Sequence, residues 1–204
     1  MSTLSVRKNF IGALIGINLV ALPAIFFLNN KHILDFQGPS SKSTLPAHAQ
    51  IPAFELTERS GKIVTDAQMR GRVWVADFIF TRCSNQCPMM SAKLSLLQQS
   101  LPGFVSFVSF SVDPLHDTPE QLRIYAQNYR ADENRWLFLT GQKETVDRIL
   151  STLHLGNGSD PNLHSLRFVL MDEKLQVRGY YNSEDPQALE QLKRDVRRLT
   201  ENHV

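Results

Sequence analysis

An apolar run from Val73 to Phe80, mostly β-branched and aromatic, gives way to Thr81-Arg82-Cys83-Ser84-Asn85-Gln86-Cys87-Pro88. This junction constrains the chain more than any other stretch. The run has the composition of a buried strand, and Pro88 has the φ required at the first position of a helix. A strand must therefore hand over to a helix within a few residues. Cys83 and Cys87 are the only cysteines in the 204 residues, and both fall at that turn. Cys87 is expected at or near the helix N-cap. Unpaired N–H groups and the positive end of the helix dipole lower a thiol's pKa there, so thiolate becomes available as nucleophile or metal ligand. Both cysteines share that end.

A C-x₂-C pair at a strand-to-helix junction reads as a thioredoxin-type redox centre. The additional residue in C-x₃-C widens the loop so that two sulfurs can converge on one metal ion, and a disulfide between them stays geometrically open. The polar Ser84, Asn85 and Gln86 argue against the plainer reading of two cysteines packed in the core as small hydrophobes. Two cysteines make no disulfide framework, and the pair does not resemble a four-ligand zinc site, so redox or metal chemistry is favoured. With 22 basic and 20 acidic side chains, a net charge of +2 and no block of like charges, nothing points to nucleic acid as a partner.

The chain divides into four parts. Residues 1–9 carry Arg7 and Lys8 and are expected in the cytoplasm, because basic residues before an apolar segment hold that end inside. Residues 10–28 are uncharged and close to the roughly 20 residues a helix needs to cross a bilayer; they read as an N-terminal transmembrane anchor. Ala47-His48-Ala49, the nearest signal-peptidase-like site, lies too far downstream for a cleaved signal peptide. Residues 29–50, with Gly38-Pro39-Ser40-Ser41-Lys42-Ser43 and Pro46, have the composition of a linker. Residues 51–204 form the globular domain.

Within that domain, Phe54-Glu55-Leu56, a turn at Ser60-Gly61, and Ile63-Val64 predict a short hairpin. After the Val73–Phe80 strand, Met89, Leu94, Leu96 and Leu97 predict a helix ending before Pro102-Gly103, with these residues packing the core. Phe104–Val112 predicts another buried strand. Thr118 as cap, Pro119 at the first helical position and Gln121 closing a capping box then predict a helix bearing Leu122, Tyr125, Ala126 and Tyr129. A short strand at Trp136–Leu139, a helical stripe of Val146, Ile149, Leu150 and Leu153, and a polar loop over 157–162 follow. Two adjacent strands at Leu166–Met171 and Leu175–Tyr181 lead to a last helix starting at Asp185-Pro186. Its Lys193, Arg194, Arg197 and Arg198 read as a solvated face. The order βαβαβαββα implies an α/β fold with a mixed sheet flanked by helices. Thioredoxin-like folds share this plan and place their chemistry at the junction that Cys83 and Cys87 occupy.

Several blocks agree, in order, with one family. Phe80-Thr81-Arg82-Cys83-Ser84-Asn85-Gln86-Cys87-Pro88 matches F-T-x-C-x₃-C-P, and Ser111-Val112-Asp113-Pro114-Leu115-His116-Asp117-Thr118 resembles S-x-D-P-x-R-D-T. Leu139-Thr140-Gly141 matches L-T-G, and His164-Ser165 corresponds to D-H-[ST] before a strand. Over about residues 51 to 200 the chain resembles the SCO (synthesis of cytochrome c oxidase) family, also called SCO1/SenC, of membrane-anchored, thioredoxin-like copper proteins. The resemblance implies that Cys83, Cys87 and His164 bind copper. Two thiolates and an imidazole suit Cu(I), and the imidazole makes Cu(II) tolerable. Thioredoxin-like enzymes carry a cis-proline in the loop before the strand facing the site; here Leu163-His164-Ser165 stands there, and Pro161 is too early. The sequence departs from the family twice. Leu163 replaces an acidic residue, so a carboxylate orienting the imidazole must come from elsewhere, such as Asp113, Asp117 or Asp160. His116 replaces an arginine; a histidine in a polar loop is ordinarily solvated, and the alternative is a fourth ligand or a group that supports the ligands.

The resemblance implies a non-enzymatic assembly factor, or metallochaperone. It would deliver copper to, or keep reduced, the binuclear copper centre in a copper-receiving subunit of a respiratory oxidase. It would work from a bacterial inner membrane with its globular domain in the periplasm. The alternative is a membrane-anchored thiol-disulfide oxidoreductase using Cys83 and Cys87 as a redox-active pair on partner cysteines. A thiol peroxidase would need only one activated cysteine, together with a peroxide pocket that the sequence does not reveal.

Overall fold

Alternation of side chains along the central strand sets the architecture. In β3 (Trp74–Ile79), Val75 and Ile79 face one side while Trp74, Ala76 and Phe78 face the other, and all are buried. A strand buried on both faces requires helices above and below it. The computed structural model describes residues 45–155 and 166–201. They contain a seven-stranded sheet made of β1 (Glu55–Glu58), β2 (Ile63–Thr65), β3, β4 (Ser106–Ser111), β5 (Trp136–Thr140), β6 (Arg167–Met171) and β7 (Val177–Asn182). The strand order is β2-β1-β5-β4-β3-β6-β7. β3, β4 and β5 run parallel, and the remaining pairings are antiparallel.

One face is covered by α2 (Gln86–Ser100), α3 (Pro119–Asn128) and α5 (Pro186–Thr200). Leu94, Leu97, Leu122, Leu192 and Val196 pack there against Phe107, Trp136, Phe138 and Phe168. The other face is covered by α4 (Lys143–Thr152) and by Met69 of the short α1 (Asp66–Met69), over Trp74, Phe78 and Phe110. Phe78 and Phe110 stack across adjacent strands at 5.2 Å between centroids. Each such fully buried side chain contributes about 1.5–3 kcal/mol relative to exposure, and both rings are fully buried.

After the β1–β2 hairpin the observed order is the expected βαβαβαββα, with α1 as an unexpected addition. The hairpin turns at Gly61, whose φ of +85° is a left-handed conformation that a residue with a Cβ rarely adopts. The Thr118 half of the capping box read for α3 is present: its hydroxyl accepts from Gln121 N–H at 3.3 Å, with Pro119 in the first turn. α5 starts at Pro186 with the Asp185 carboxylate accepting from Gln187 N–H at 2.8 Å. In α2 the core residues are Met90, Leu94 and Leu97; Met89, expected inside, is 45% exposed and Leu96 is 66% exposed. Met90 lies four residues before Leu94 and seven before Leu97, so the helical period puts it on their buried face and turns Met89 outward.

Ahead of β1, His48 N–H donates to Val177 carbonyl at 2.9 Å and Val177 N–H to Ala49 carbonyl at 2.7 Å, so residues 48–49 run beside β7. Among the described residues no helix is long and apolar enough to cross a membrane. The anchor read at 10–28 and most of the linker read at 29–50 lie outside the described residues.

Candidate metal centre

β3 and β4 pair in parallel as far as Ile79 and Ser111, and one further bond, Val112 N–H to Ile79 carbonyl at 2.9 Å, extends the ladder. Both strands therefore end at the same edge of the sheet. Two loops leave that edge side by side, one with Cys83 ahead of α2 and the other running from Asp113 to the cap of α3. Both loops thus lie at the carboxyl-terminal edge of the parallel strands.

α2 begins at Gln86, with Asn85 in the N-cap position and no side-chain cap hydrogen bond. Cys87, expected at or near the cap, is the second helical residue, two positions past the cap, and Pro88 is the third rather than the first. Proline does not pin the start, because N–H groups throughout a helix's first turn lack intrahelical partners. A sulfur takes the capping role: Cys87 N–H donates to Cys83 Sγ at 3.3 Å.

The two thiols are consequently unlike, where the sequence had them sharing one acidifying end. Partial burial acts to raise the Cys83 thiol, but backbone N–H groups of Cys87, Asn85 and Gln86, together with the Cys87 side chain, outweigh it and hold it below the ordinary thiol value. Cys87 is 0% exposed, and burial pushes its thiol well up; the nearby Cys83 and Asp77 charges push the same way. Cys83 is half-buried and reachable, whereas Cys87 forms the floor.

Beneath the pair lies a buried polar chain absent from the sequence reading. Trp136 Nε1–H donates to Ser109 Oγ at 2.9 Å, and Ser109 Oγ–H donates to Asp77 Oδ1 at 2.6 Å. Asp77 is fully buried, its Oδ2 has no hydrogen-bond partner, and burial raises its carboxyl to about 7 against the opposing Ser109 bond. The available signal was a single acidic residue inside an otherwise apolar strand.

Of the carboxylates considered for orienting an imidazole, two are already engaged. Asp117 is buried and accepts from Thr81 N–H at 3.1 Å, Thr81 Oγ1–H at 2.5 Å and Ser111 Oγ–H at 2.6 Å. Asp113 contacts Arg82 at 2.7 Å and His116 Nδ1 at 2.8 Å, which hold its carboxyl below the usual range despite partial burial. Asp160 lies outside the described residues. His116 is exposed, as a solvated loop histidine would be, with one ring nitrogen taken by Asp113.

His164, the expected third ligand, also lies outside the described residues, as does Leu163. Among the described residues no group of three or more His, Cys, Asp or Glu side chains could hold a metal ion. Two adjacent sulfurs at a helix start are nonetheless a soft donor pair suited to Cu(I), which accepts low coordination numbers. The same two sulfurs, one reachable and one buried, also suit dithiol exchange.

The SCO1/SenC family model matches residues 42–201. The SCO1 protein homolog of Bacillus subtilis is 34% identical over 161 residues, covering 74% of this chain and 83% of that protein. The solved structure of BsSco, described as a member of the Sco family of cytochrome c oxidase assembly proteins with a disulfide switch, aligns with a TM-score of 0.67 at 31% identity. That alignment covers 74% of this chain and 94% of BsSco. Copper-bound ScoI of Bradyrhizobium japonicum shares the fold, with a TM-score of 0.59 at 24% identity over 72% of this chain and 99% of ScoI. The mixed sheet, the cysteine loop at the ends of β3 and β4, and a match running through all five described helices lead to one conclusion: this chain belongs to the SCO1/SenC family.

Proposed function

We propose that this protein is a copper-binding assembly factor. In this reading Cys83, Cys87 and His164 hold copper, which is delivered to the binuclear copper centre of a respiratory cytochrome c oxidase, or the same cysteines keep that centre's ligands reduced. The observation that carries the reading is the 3.3 Å contact from Cys87 N–H to Cys83 Sγ at the start of α2, in a chain whose family works in cytochrome c oxidase assembly. Metal binding requires both sulfurs as thiolates, so a bound copper ion must displace the proton that burial keeps on Cys87. Residues 10–28 anchor the protein in a bacterial inner membrane, and the domain from residue 51 works in the periplasm.

Copper content of the detergent-purified chain tests this. One copper per chain is expected, with loss on Cys83→Ala or Cys87→Ala. Full stoichiometry in both variants would remove these sulfurs as ligands.

The inequality of the two thiols favours one second reading, a thiol-disulfide oxidoreductase in which Cys83 attacks a partner disulfide and Cys87 resolves the mixed disulfide. His164 separates the two, because copper binding uses an imidazole and dithiol exchange does not.

A further inference from the structure

Within the cysteine loop, Cys87 N–H donates to Cys83 Sγ at 3.3 Å. Cys83 N–H closes a turn onto Phe80 carbonyl at 3.2 Å, and Ser84 and Asn85 are exposed. The loop's strongest tie comes from another segment. Thr81, two residues before Cys83, gives both its N–H and its hydroxyl to the Asp117 carboxylate. The second carboxylate oxygen also accepts from Ser111 at 2.6 Å, at the end of β4. Ser111 Oγ in turn accepts from Asp113 N–H at 3.1 Å.

Asp117 is itself held firmly. Its N–H donates to Asp113 carbonyl at 2.9 Å, and the next residue, Thr118, caps α3. Leu122, Tyr125 and Ala126 bury α3 in the core. Core, helix, carboxylate and cysteine loop thus form one continuous connection. The exposed ion pair of Arg82 with Asp113 lies beside it, but such pairs contribute little. A carboxylate shielded from water and receiving three donors is a stronger restraint.

We infer that Asp117 is a positioning residue for the Cys83–Cys87 pair: by fixing Thr81 it holds the Cys83 sulfur over the first turn of α2, close to its partner. The inference rests on reading the two cysteines as a working pair. Closing a disulfide depends on how often the reduced loop brings one sulfur to the other. Releasing Thr81 enlarges the set of loop conformations and lowers that effective concentration. The disulfide becomes easier to reduce, and the midpoint potential of the pair rises.

The test is the midpoint potential of the copper-free protein, equilibrated in dithiothreitol redox buffers and followed by thiol labelling. Asp117→Ala is expected to lower the disulfide equilibrium constant about tenfold, a rise of about 30 mV. Asp117→Asn should restore the wild-type potential, since an amide oxygen accepts from Thr81 and the amide N–H₂ can face a hydroxyl that turns to accept. Thr81→Val keeps side-chain volume while removing one tie to the carboxylate, and is expected to shift the equilibrium in the same direction by about threefold. A wild-type potential in Asp117→Ala overturns the inference. So does a shift in Asp117→Asn as large as that in Asp117→Ala, which would make charge and not position the cause. Should Asp117→Ala fail to fold, a wild-type potential in Thr81→Val overturns it equally. A wild-type protein that forms no disulfide defeats the working pair itself, and this inference with it.

Discussion

The backbone N–H of Cys87 donates to the sulfur of Cys83 at 3.3 Å, making one cysteine the cap of the helix that buries the other. The arrangement separates the roles of two residues of the same type. Cys83 collects N–H donors and remains reachable, while Cys87, in the first turn of α2, faces the apolar core.

Alkylation should reflect that division. With Cys87→Ser and Cys83→Ser variants isolating each thiol, Cys83 is expected to react with iodoacetamide at least about tenfold faster than Cys87, since only reachable thiolate reacts. Its rate should reach half-maximum below the ordinary thiol pKa. Mass spectrometry over a pH series measures both, and equal rates in the folded protein would contradict the asymmetry.

Oxidation should exclude copper. A Cys83–Cys87 disulfide no longer offers two thiolates, so Cu(I) binding is expected to vanish in the oxidised protein and to return on reduction. Competition against a chromogenic Cu(I) chelator reads this directly. Undiminished binding by oxidised protein would mean that other groups hold the metal.

His164→Ala is expected to weaken Cu(II) binding far more than Cu(I) binding, because Cu(II) prefers nitrogen ligands and a fuller shell while Cu(I) tolerates two sulfurs. Dithiol exchange should remain near wild type. Optical and electron spin resonance titrations beside a thiol-exchange assay follow all three quantities, and an unchanged Cu(II) spectrum would favour the oxidoreductase reading.

Asp77 predicts a pH dependence of stability. Burial holds its carboxyl at about 7 in the folded protein, above the value of about 4 expected of an unfolded chain. Between those values the folded state keeps a proton that the unfolded state has lost. Stability therefore falls as pH rises from about 4 to about 7 and levels off above, with this group contributing on the order of 4 kcal/mol across the window. Asp77→Asn, neutral at every pH, should flatten the trend. Urea unfolding of both proteins across that range measures the difference, and parallel curves would show that Asp77 ionises without cost.

The proposed membrane orientation rests on Arg7 and Lys8 ahead of the apolar segment at 10–28. A reporter fused after Val204 is expected to be active only outside the cytoplasm. Cytoplasmic activity would reverse the topology and the periplasmic placement together.

Much of this protein was determined by its sequence alone. The apolar runs at Val73–Phe80 and Phe104–Val112 read as buried strands from their β-branched and aromatic composition. Thr118-Pro119 and Asp185-Pro186 marked two helix starts that the structure realises with capping bonds to Gln121 and Gln187. The cysteine spacing and its place after the central strand were likewise readable, since both depend on local order. Tertiary structure alone decided the strand order β2-β1-β5-β4-β3-β6-β7. It also decided the inequality of Cys83 and Cys87, the burial of Asp77 beneath them, and the bridge from Asp117 to Thr81 across 36 positions of sequence. The physical reason is common to these cases. Local pattern reports which face of an element avoids water, whereas thiol acidity and carboxylate partnership depend on which distant donors, charges and apolar walls the fold brings within a few ångströms.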